Sequence, residues 1–236
     1  MKIKVLHVLT DVNIGGAGHY LLSLLKSYDR ENFRIEVALP LNSRLTPLVE
    51  ALDVAVIELS EMPERSLSYH AIWAIGRIMT ERRIDILHTH ASLSGRIAAK
   101  LYSKPVIYTR HYCIQKSRFG AFGGFLANLF NRLLNDRVIA TSPEVEKGLI
   151  EAGMPPSLIT TIYNGVPPLR KFSDEEKSAA LAKYGIANDA FVVSQVARLD
   201  PVKGHDHTLD AAKQLASYSK TANDPKIIIL IAGDGP

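Results

Sequence analysis

Ile3-Lys4-Val5-Leu6-His7-Val8-Leu9-Thr10-Asp11-Val12-Asn13-Ile14-Gly15-Gly16-Ala17-Gly18 passes from a short apolar run, through a polar loop, to a pair of glycines. The run Ile3–Leu9 reads as a buried strand, and the residues from Ala17 to Tyr28 carry apolar side chains at helical spacing. A strand that feeds a glycine-bearing turn and then a helix is the first half of a crossover connection, which is how parallel sheets are built.

The same alternation continues outward. Strands are expected at Phe33–Leu39, Val54–Leu59, Ile84–His88, Val106–Thr109, Val138–Thr141 and Thr160–Tyr163. Helices are expected at Ser68–Arg82, Ser92–Tyr102, Phe119–Leu134 and Pro143–Ala152, the last opened by Ser142-Pro143 and closed by Gly153. The class is therefore α/β, a mostly parallel sheet with helices on both faces. After Asn164-Gly165-Val166-Pro167-Pro168 the alternation pauses in a proline-stiffened linker. It resumes with a helix begun by the capping-box pair Ser173 and Glu176 and ended by Gly185, then strand Phe191–Ala197, helix Gly204–Ser217 and strand Lys226–Ala232. Residues 1–167 read as one Rossmann-like domain and 168–236 as the start of a second. A fragment is expected, because two strands of a parallel sheet leave a long apolar edge unpaired.

The bulk properties narrow the setting. Of the 236 residues, 47% are hydrophobic and 22% charged, the balance of a globular chain with a sizeable core. Cys113 is the single cysteine, so no intrachain disulfide can form and a reducing compartment suits the chain. The start is too short for a signal core, and Ile227–Ala232 falls far below the roughly 20 apolar residues that span a bilayer. A cytoplasmic protein is expected, with a possible peripheral hold on the inner face of the membrane. Between Ile86 and Asn135 there is no Asp or Glu, while Arg96, Lys100, Lys104, Arg110, Lys116, Arg118 and Arg132 all fall there. That stretch would concentrate anions, or serve only as a solvated basic face.

Three clusters carry the chemistry. Glycines at Gly15 and Gly16 let a ligand approach the backbone, and the helix start beyond them favours negative charge. The dinucleotide fingerprint fails, since Leu21 stands where its third glycine belongs and no acid ends the second strand. A turn that only packs strand on helix is the alternative. The second cluster is His88, His90 and His111. It could grip a metal, but the surrounding arginines and the lack of a nearby carboxylate argue against zinc. Instead His90 and His111 are expected to face substrate hydroxyls, with His88 a core residue. In the third, Arg198 and Lys203 follow a strand and precede a helix, bringing a guanidinium, an ammonium and helix-start amides to one small volume that suits a diphosphate.

On these residues the chain resembles glycosyltransferase family 4, the group 1 glycosyl transferases. The resemblance runs through Gly15-Gly16, Asp85-Ile86-Leu87-His88-Thr89-His90, Thr109-Arg110-His111, Ala140-Thr141-Ser142 and Tyr163-Asn164-Gly165-Val166. It continues with Arg198-Leu199, Lys203-Gly204 and Ala232-Gly233-Asp234-Gly235-Pro236. It implies a GT-B fold of two Rossmann-like domains, the second incomplete, and a retaining, metal-independent transferase with no cofactor. The donor would be a nucleotide-diphosphate sugar and the acceptor a glycan or a lipid-linked molecule, as in cell-envelope polysaccharide synthesis. By position, Arg198 and Lys203 would bind the diphosphate with help from Gly15 and Gly16, His111 would lie at the transferred sugar, His90 nearer the acceptor, and Asn164 at the inter-domain hinge. Ala197 replaces a common glycine, Gly18 replaces a frequent acid, and the paired glutamates of the family belong beyond Pro236, so the chain alone is expected to be inactive.

Phe119, Phe122, Phe125, Leu126, Leu129, Phe130 and Leu133 form one helical stripe inside the basic stretch. Core packing is the ordinary role of such a stripe, and insertion into an anionic membrane surface the other. Two rival functions share parts of the pattern. A sugar-nucleotide epimerase would need acid–base carboxylates that the first domain does not offer. A basic phosphate- or nucleic-acid-binding module would need a recognition motif that is missing, so no nucleic-acid partner is expected.

Overall fold

The computed structural model describes residues 2–60, 62, 67–90, 92–112, 129–218 and 226–235. Two compact units divide the chain, Met1–Pro167 and Pro168–Pro236.

In the first unit the elements run β1 (Ile3–Leu9), α1 (Gly16–Ser27), β2 (Phe33–Pro40), α2 (Thr46–Glu50), β3 (Ala55–Leu59), α3 (Tyr69–Glu81), β4 (Ile86–His90), α4 (Leu93–Leu101), β5 (Val106–Arg110), β6 (Arg137–Ala140), α5 (Pro143–Glu151) and β7 (Ile159–Thr161). All strand pairs are parallel, in the order β3-β2-β1-β4-β5-β6-β7. Alternate residues of β1 supply the two faces. Leu6 and Val8 join Ile75, Met79, Leu87 and Ala98 under α3 and α4, while Val5 and Leu9 join Leu21, Leu25, Val37 and Leu45 under α1 and α2. Each fully buried leucine contributes about 1.5–3 kcal/mol by leaving water. The helix starts of α3, α4 and α5 are closed by Ser68, Ser92 and Ser142, whose hydroxyls accept from the amides of Ala71, Gly95 and Val145.

Two local features differ from the sequence reading. Strand β4 begins at Ile86 rather than Ile84. Arg83 takes a left-handed turn (φ 54°), Ile84 N–H closes back on Met79 O, and the Asp85 carboxylate accepts from the Lys4 amide at 2.8 Å before the ladder starts at Val5↔Ile86. His90 is thereby a strand residue opposite Leu9. Helix α2 was not foreseen, because its five residues are too few to show a period. Of the expected helix Phe119–Leu134, residues 129–133 are helical and 119–128 lie outside the described residues, as do Cys113, Lys116 and Arg118. The described end of its apolar stripe is not core: Leu129, Phe130 and Leu133 are exposed.

The second unit holds α6 (Asp174–Lys183), β8 (Phe191–Val196), a 3-10 turn Pro201–Lys203, α7 (His205–Tyr218) and β9 (Ile227–Ala232). The capping box of Ser173 and Glu176 is formed in both directions. Strands β8 and β9 pair in parallel from Phe191↔Ile227 to Val196↔Ala232. No described residue after Met154 is buried, and Phe191 and Val196 stay largely in water. With so little apolar area removed from solvent, α6 to β9 should open far more readily than β1 to β7. Limited proteolysis of the chain is expected to degrade residues 168–236 before the seven-stranded unit. Survival of Asp174–Ala232 with β1 to β7 digested would be the opposite result.

Candidate functional site

The carboxyl ends of β1, β4 and β5 lie side by side in the first unit. The loop after β1 leads into α1, whose N-cap is Gly15 with no side-chain cap and no acid in the first turn. Gly15 itself offers the first amides no side-chain acceptor, and the helix start carries a partial positive charge. The glycines of this loop separate by surroundings. A Cβ on Gly16 would meet nothing within 4 Å, whereas one on Gly18 would press on Leu45 at 3.0 Å. Gly18 serves packing, and Gly16 fronts open space at the helix start.

Beside it stands a row of imidazoles. His7 Nδ1 is 3.1 Å from His90 Nε2, and His90 Nδ1 is 3.0 Å from His111 Nε2. His88 Nε2 pairs instead with Thr109 Oγ1 at 2.7 Å. Tyr20 on α1 lies beside the row, its ring edge-on to His111 at 5.1 Å. Burial holds His7 and His90 well below the usual imidazole range, with neighbouring rings adding to the effect. His88 is pushed down to about 3 by burial and by His111, and His111 to about 4 by burial and by Arg110. All four rings are neutral at pH 7. The His111 Nδ1 atom is buried and has no hydrogen-bond partner.

This geometry bears on two readings of the sequence. Both ring nitrogens of His90, expected to meet substrate hydroxyls, are engaged by other histidines. The three rings that could share a metal are His7, His88 and His90, with nitrogens within 4.8 Å of one another, rather than His88, His90 and His111. One nitrogen of His7, one of His88 and both of His90 are engaged in hydrogen bonds. Nor is the basic stretch wholly unpaired, since Lys100 Nζ lies 2.7 Å from Asp136, just outside it.

In the second unit, the loop after β8 packs on the loop after β9. Leu199 N–H donates to Asp234 O at 2.7 Å, and Cβ atoms on Gly233 or Gly235 would collide with Ala197 or Leu199. Arg198, Leu199, Asp200, Asp234 and Gly235 line a small pocket there. The Arg198 side chain is 75% exposed, with Asp200 as a distant neighbour at 3.9 Å. Lys203 does not line this pocket. It ends the 3-10 turn, its carbonyl accepts from Gln195 Nε2, and left-handed Gly204 (φ 69°) separates it from α7. Asn164 is exposed, in the extended segment after β7.

The model of Glycosyltransferase Family 4 matches residues 14–170, from the glycine loop to the segment beyond β7. The chain belongs to glycosyltransferase family 4. A D-inositol 3-phosphate glycosyltransferase from Kribbella flavida is 23% identical over 93% of this chain and 57% of its own length. The chain thus spans little more than half of that relative. Among solved structures, Anabaena Alr3699/HepE in complex with UDP and glucose superposes with a TM-score of 0.79 at 24% identity, over 99% of this chain and 62% of that one. The UDP-GlcNAc 2-epimerase from Neisseria meningitidis bound to UDP-GlcNAc superposes at 0.51 with 12% identity, over 98% and 66%. The fold of this family 4 member is of the GT-B type, an architecture it shares with an epimerase as well as with transferases.

Sequence reasoning overlooked His7 and Tyr20. The signal for His7 is topological: once β1 is placed beside β4, the register sets His7 opposite His88, so both rings share one face with His90. Tyr20 lies one helical turn beyond Gly16, on the part of α1 that overhangs the strand ends.

Proposed function

We propose that the full-length protein is a retaining glycosyltransferase that moves a hexose from a nucleotide-diphosphate sugar to a glycan or lipid-linked acceptor, without a metal, in cell-envelope polysaccharide synthesis at the cytoplasmic side of the membrane. The observation that carries this reading is the pairing, at one end of a parallel sheet, of an uncapped helix start at Gly16 with the unpartnered Nδ1 of His111. One suits phosphate oxygens and the other a sugar hydroxyl. Family 4 membership and the UDP and glucose held by the HepE protein support a nucleotide-sugar donor. In this reading residues 1–167 form the acceptor side and 168–236 begin the donor side, Asn164 lies at the hinge, and Arg198 and Lys203 take the diphosphate. Transfer breaks the bond from the anomeric carbon to the β-phosphate oxygen and forms one to the acceptor oxygen, whose proton leaves with the phosphate. Positive charge grows on the sugar and negative charge on the diphosphate, and cations and amides aimed at the latter lower the barrier.

The test is turnover of UDP-glucose and other nucleotide-diphosphate sugars by the full-length protein in excess chelator. Release of the nucleotide diphosphate with retained anomeric configuration is expected. Recovery of an epimerised nucleotide sugar would assign the epimerase reaction instead, and loss of turnover in chelator would remove metal independence. Gly16→Ala adds a methyl group where the fold has room, so stability should stay within about 0.5 kcal/mol. The same methyl stands where the diphosphate must approach, and turnover should fall about tenfold or more, some 1.4 kcal/mol of barrier. Full turnover in this variant would show that no ligand approaches Gly16.

Peripheral membrane association is supported by one feature, the exposed Leu129, Phe130 and Leu133 flanking exposed Arg132. Such a turn can insert apolar side chains while the cation meets lipid phosphates. The protein should sediment with vesicles containing anionic lipid at low salt, and Phe130→Ser should weaken this at least tenfold, since a buried phenylalanine is worth about 1.5–3 kcal/mol. Failure of the wild-type protein to sediment would eliminate this surface.

A further inference from the structure

His7, His90 and His111 are joined head to tail, Nδ1 of one ring to Nε2 of the next, at 3.1 and 3.0 Å. Adjacent ring planes are tilted by only 19° and 21° at centroid separations of 5.4 and 5.3 Å, so each shared hydrogen lies near both planes. A neutral imidazole carries one hydrogen, on one nitrogen, and accepts at the other. If His90 carries its hydrogen on Nε2, it donates to His7 Nδ1, which must then be bare, and its own bare Nδ1 must receive Nε2–H of His111. If the hydrogen is on Nδ1, both neighbours reverse. The three rings can satisfy both contacts only by sharing one tautomer.

We infer that His7, His90 and His111 form a tautomeric relay in which the first two rings, as positioning residues, set whether His111 Nδ1 offers a ligand a lone pair or an N–H. The relay ends at that atom, which is buried and otherwise unpartnered. The surrounding groups leave the chain of hydrogen bonds intact. His88 is directed to Thr109, and Arg110 turns its guanidinium to Tyr108 Oη and the Tyr112 carbonyl. Burial keeps all three rings uncharged near neutral pH, and a charged ring would break the alternation by donating at both nitrogens. A hydroxyl that approaches His111 selects one state of the whole row: the interchange moves a hydrogen across each of the two contacts, takes one up at His111 Nδ1 and releases one to water at His7 Nε2, or runs in reverse, so the count of hydrogens on the three rings is unchanged. His7, deep in β1, thereby bears on a ligand that it does not touch. The link to a sugar hydroxyl rests on the proposed function, but the tautomer coupling does not.

The test is nitrogen-15 NMR of the whole chain labelled at histidine, near pH 7. Wild-type protein is expected to show one tautomer at all three rings and nitrogen–nitrogen couplings through both hydrogen bonds. In His90→Phe both contacts are removed, so both couplings should vanish and the tautomers of His7 and His111 should no longer be tied to each other. Different tautomers at His90 and His111 in the wild type, or absence of either coupling there, would each overturn the relay. If the variant fails to fold, the wild-type couplings decide alone. Coupled tautomers in a full-length protein with no nucleotide-sugar turnover would keep the relay and remove the proposed function, and turnover with uncoupled tautomers would do the reverse.

Discussion

Lowering the pH from 6.5 to 5 should remove up to about 5 kcal/mol from the stability of the seven-stranded unit, enough to unfold a marginal domain. His7, His88 and His90 are buried, and burial holds each below the ordinary value of 6.5, His88 at about 3. Well above pH 6.5 these rings are neutral in both folded and unfolded chains, and they do not make stability depend on pH. Below it the unfolded chain takes up a proton at each ring and the folded one does not, so stability falls as pH falls. Each ring contributes a slope of up to about 1.4 kcal/mol per pH unit, and three together about 4. Integrated from pH 6.5, where the unfolded rings are half-protonated, to pH 5, that is at most about 5 kcal/mol, at the lower end of the 5–15 kcal/mol of a typical domain. Denaturant titrations at pH 7.5, 6.5, 5.5 and 5 would measure it. His90→Phe should flatten the dependence by about one third. Equal unfolding free energies at pH 7.5 and 5 would mean that the imidazoles are hydrated rather than buried.

Replacing Arg198 by alanine in the full-length protein should lower kcat by a hundredfold to a thousandfold, about 2.7–4 kcal/mol of barrier, with Lys203→Ala showing a loss of similar size. The fold itself should not notice either change. Arg198 is mostly exposed and its nearest acid is 3.9 Å away, so removal ought to alter stability by less than about 0.5 kcal/mol. A guanidinium so loosely tied is available for a diphosphate, and its planar fork can meet two oxygens at once. Arg198→Lys should therefore recover only part of the activity, since a single ammonium cannot copy that geometry. Steady-state kinetics with a saturating donor separates the outcomes: a loss confined to KM would make the residue a ground-state binder, and unchanged kinetics would remove it from the site.

How far the fold was legible depended on period and register. Strand and helix alternation placed β1 to β7 to within two residues, because continuous apolar runs bounded by glycine, proline and serine caps are local signals. The β4 start was misjudged, since Ile84 is as buried as any strand residue but belongs to the turn at Arg83. His90 and His111 were recognisable as a pair at adjacent strand ends, and they do meet. What the local pattern could not disclose was His7, which lies 83 residues from its partner His90 and joins the site only through sheet order. For the same reason nothing near His90 in sequence showed that both of its nitrogens are engaged by histidines. Arg198 was conspicuous as a cation after a strand, yet the 3-10 turn that ends at Lys203 and the left-handed Gly204 after it follow from details of Pro201 and Gly204 that a spacing argument does not weigh.

The account rests on a diphosphate held by Arg198 and Lys203 with its sugar beside His111. A crystal structure of the full-length protein with a bound nucleotide-diphosphate sugar tests this most directly. The prediction is diphosphate oxygens within about 3 Å of the Arg198 guanidinium, Lys203 Nζ and the Gly16 amide, and a sugar hydroxyl at the same distance from His111 Nδ1. A diphosphate seated elsewhere, with Arg198 and His111 both free of the ligand, would contradict it.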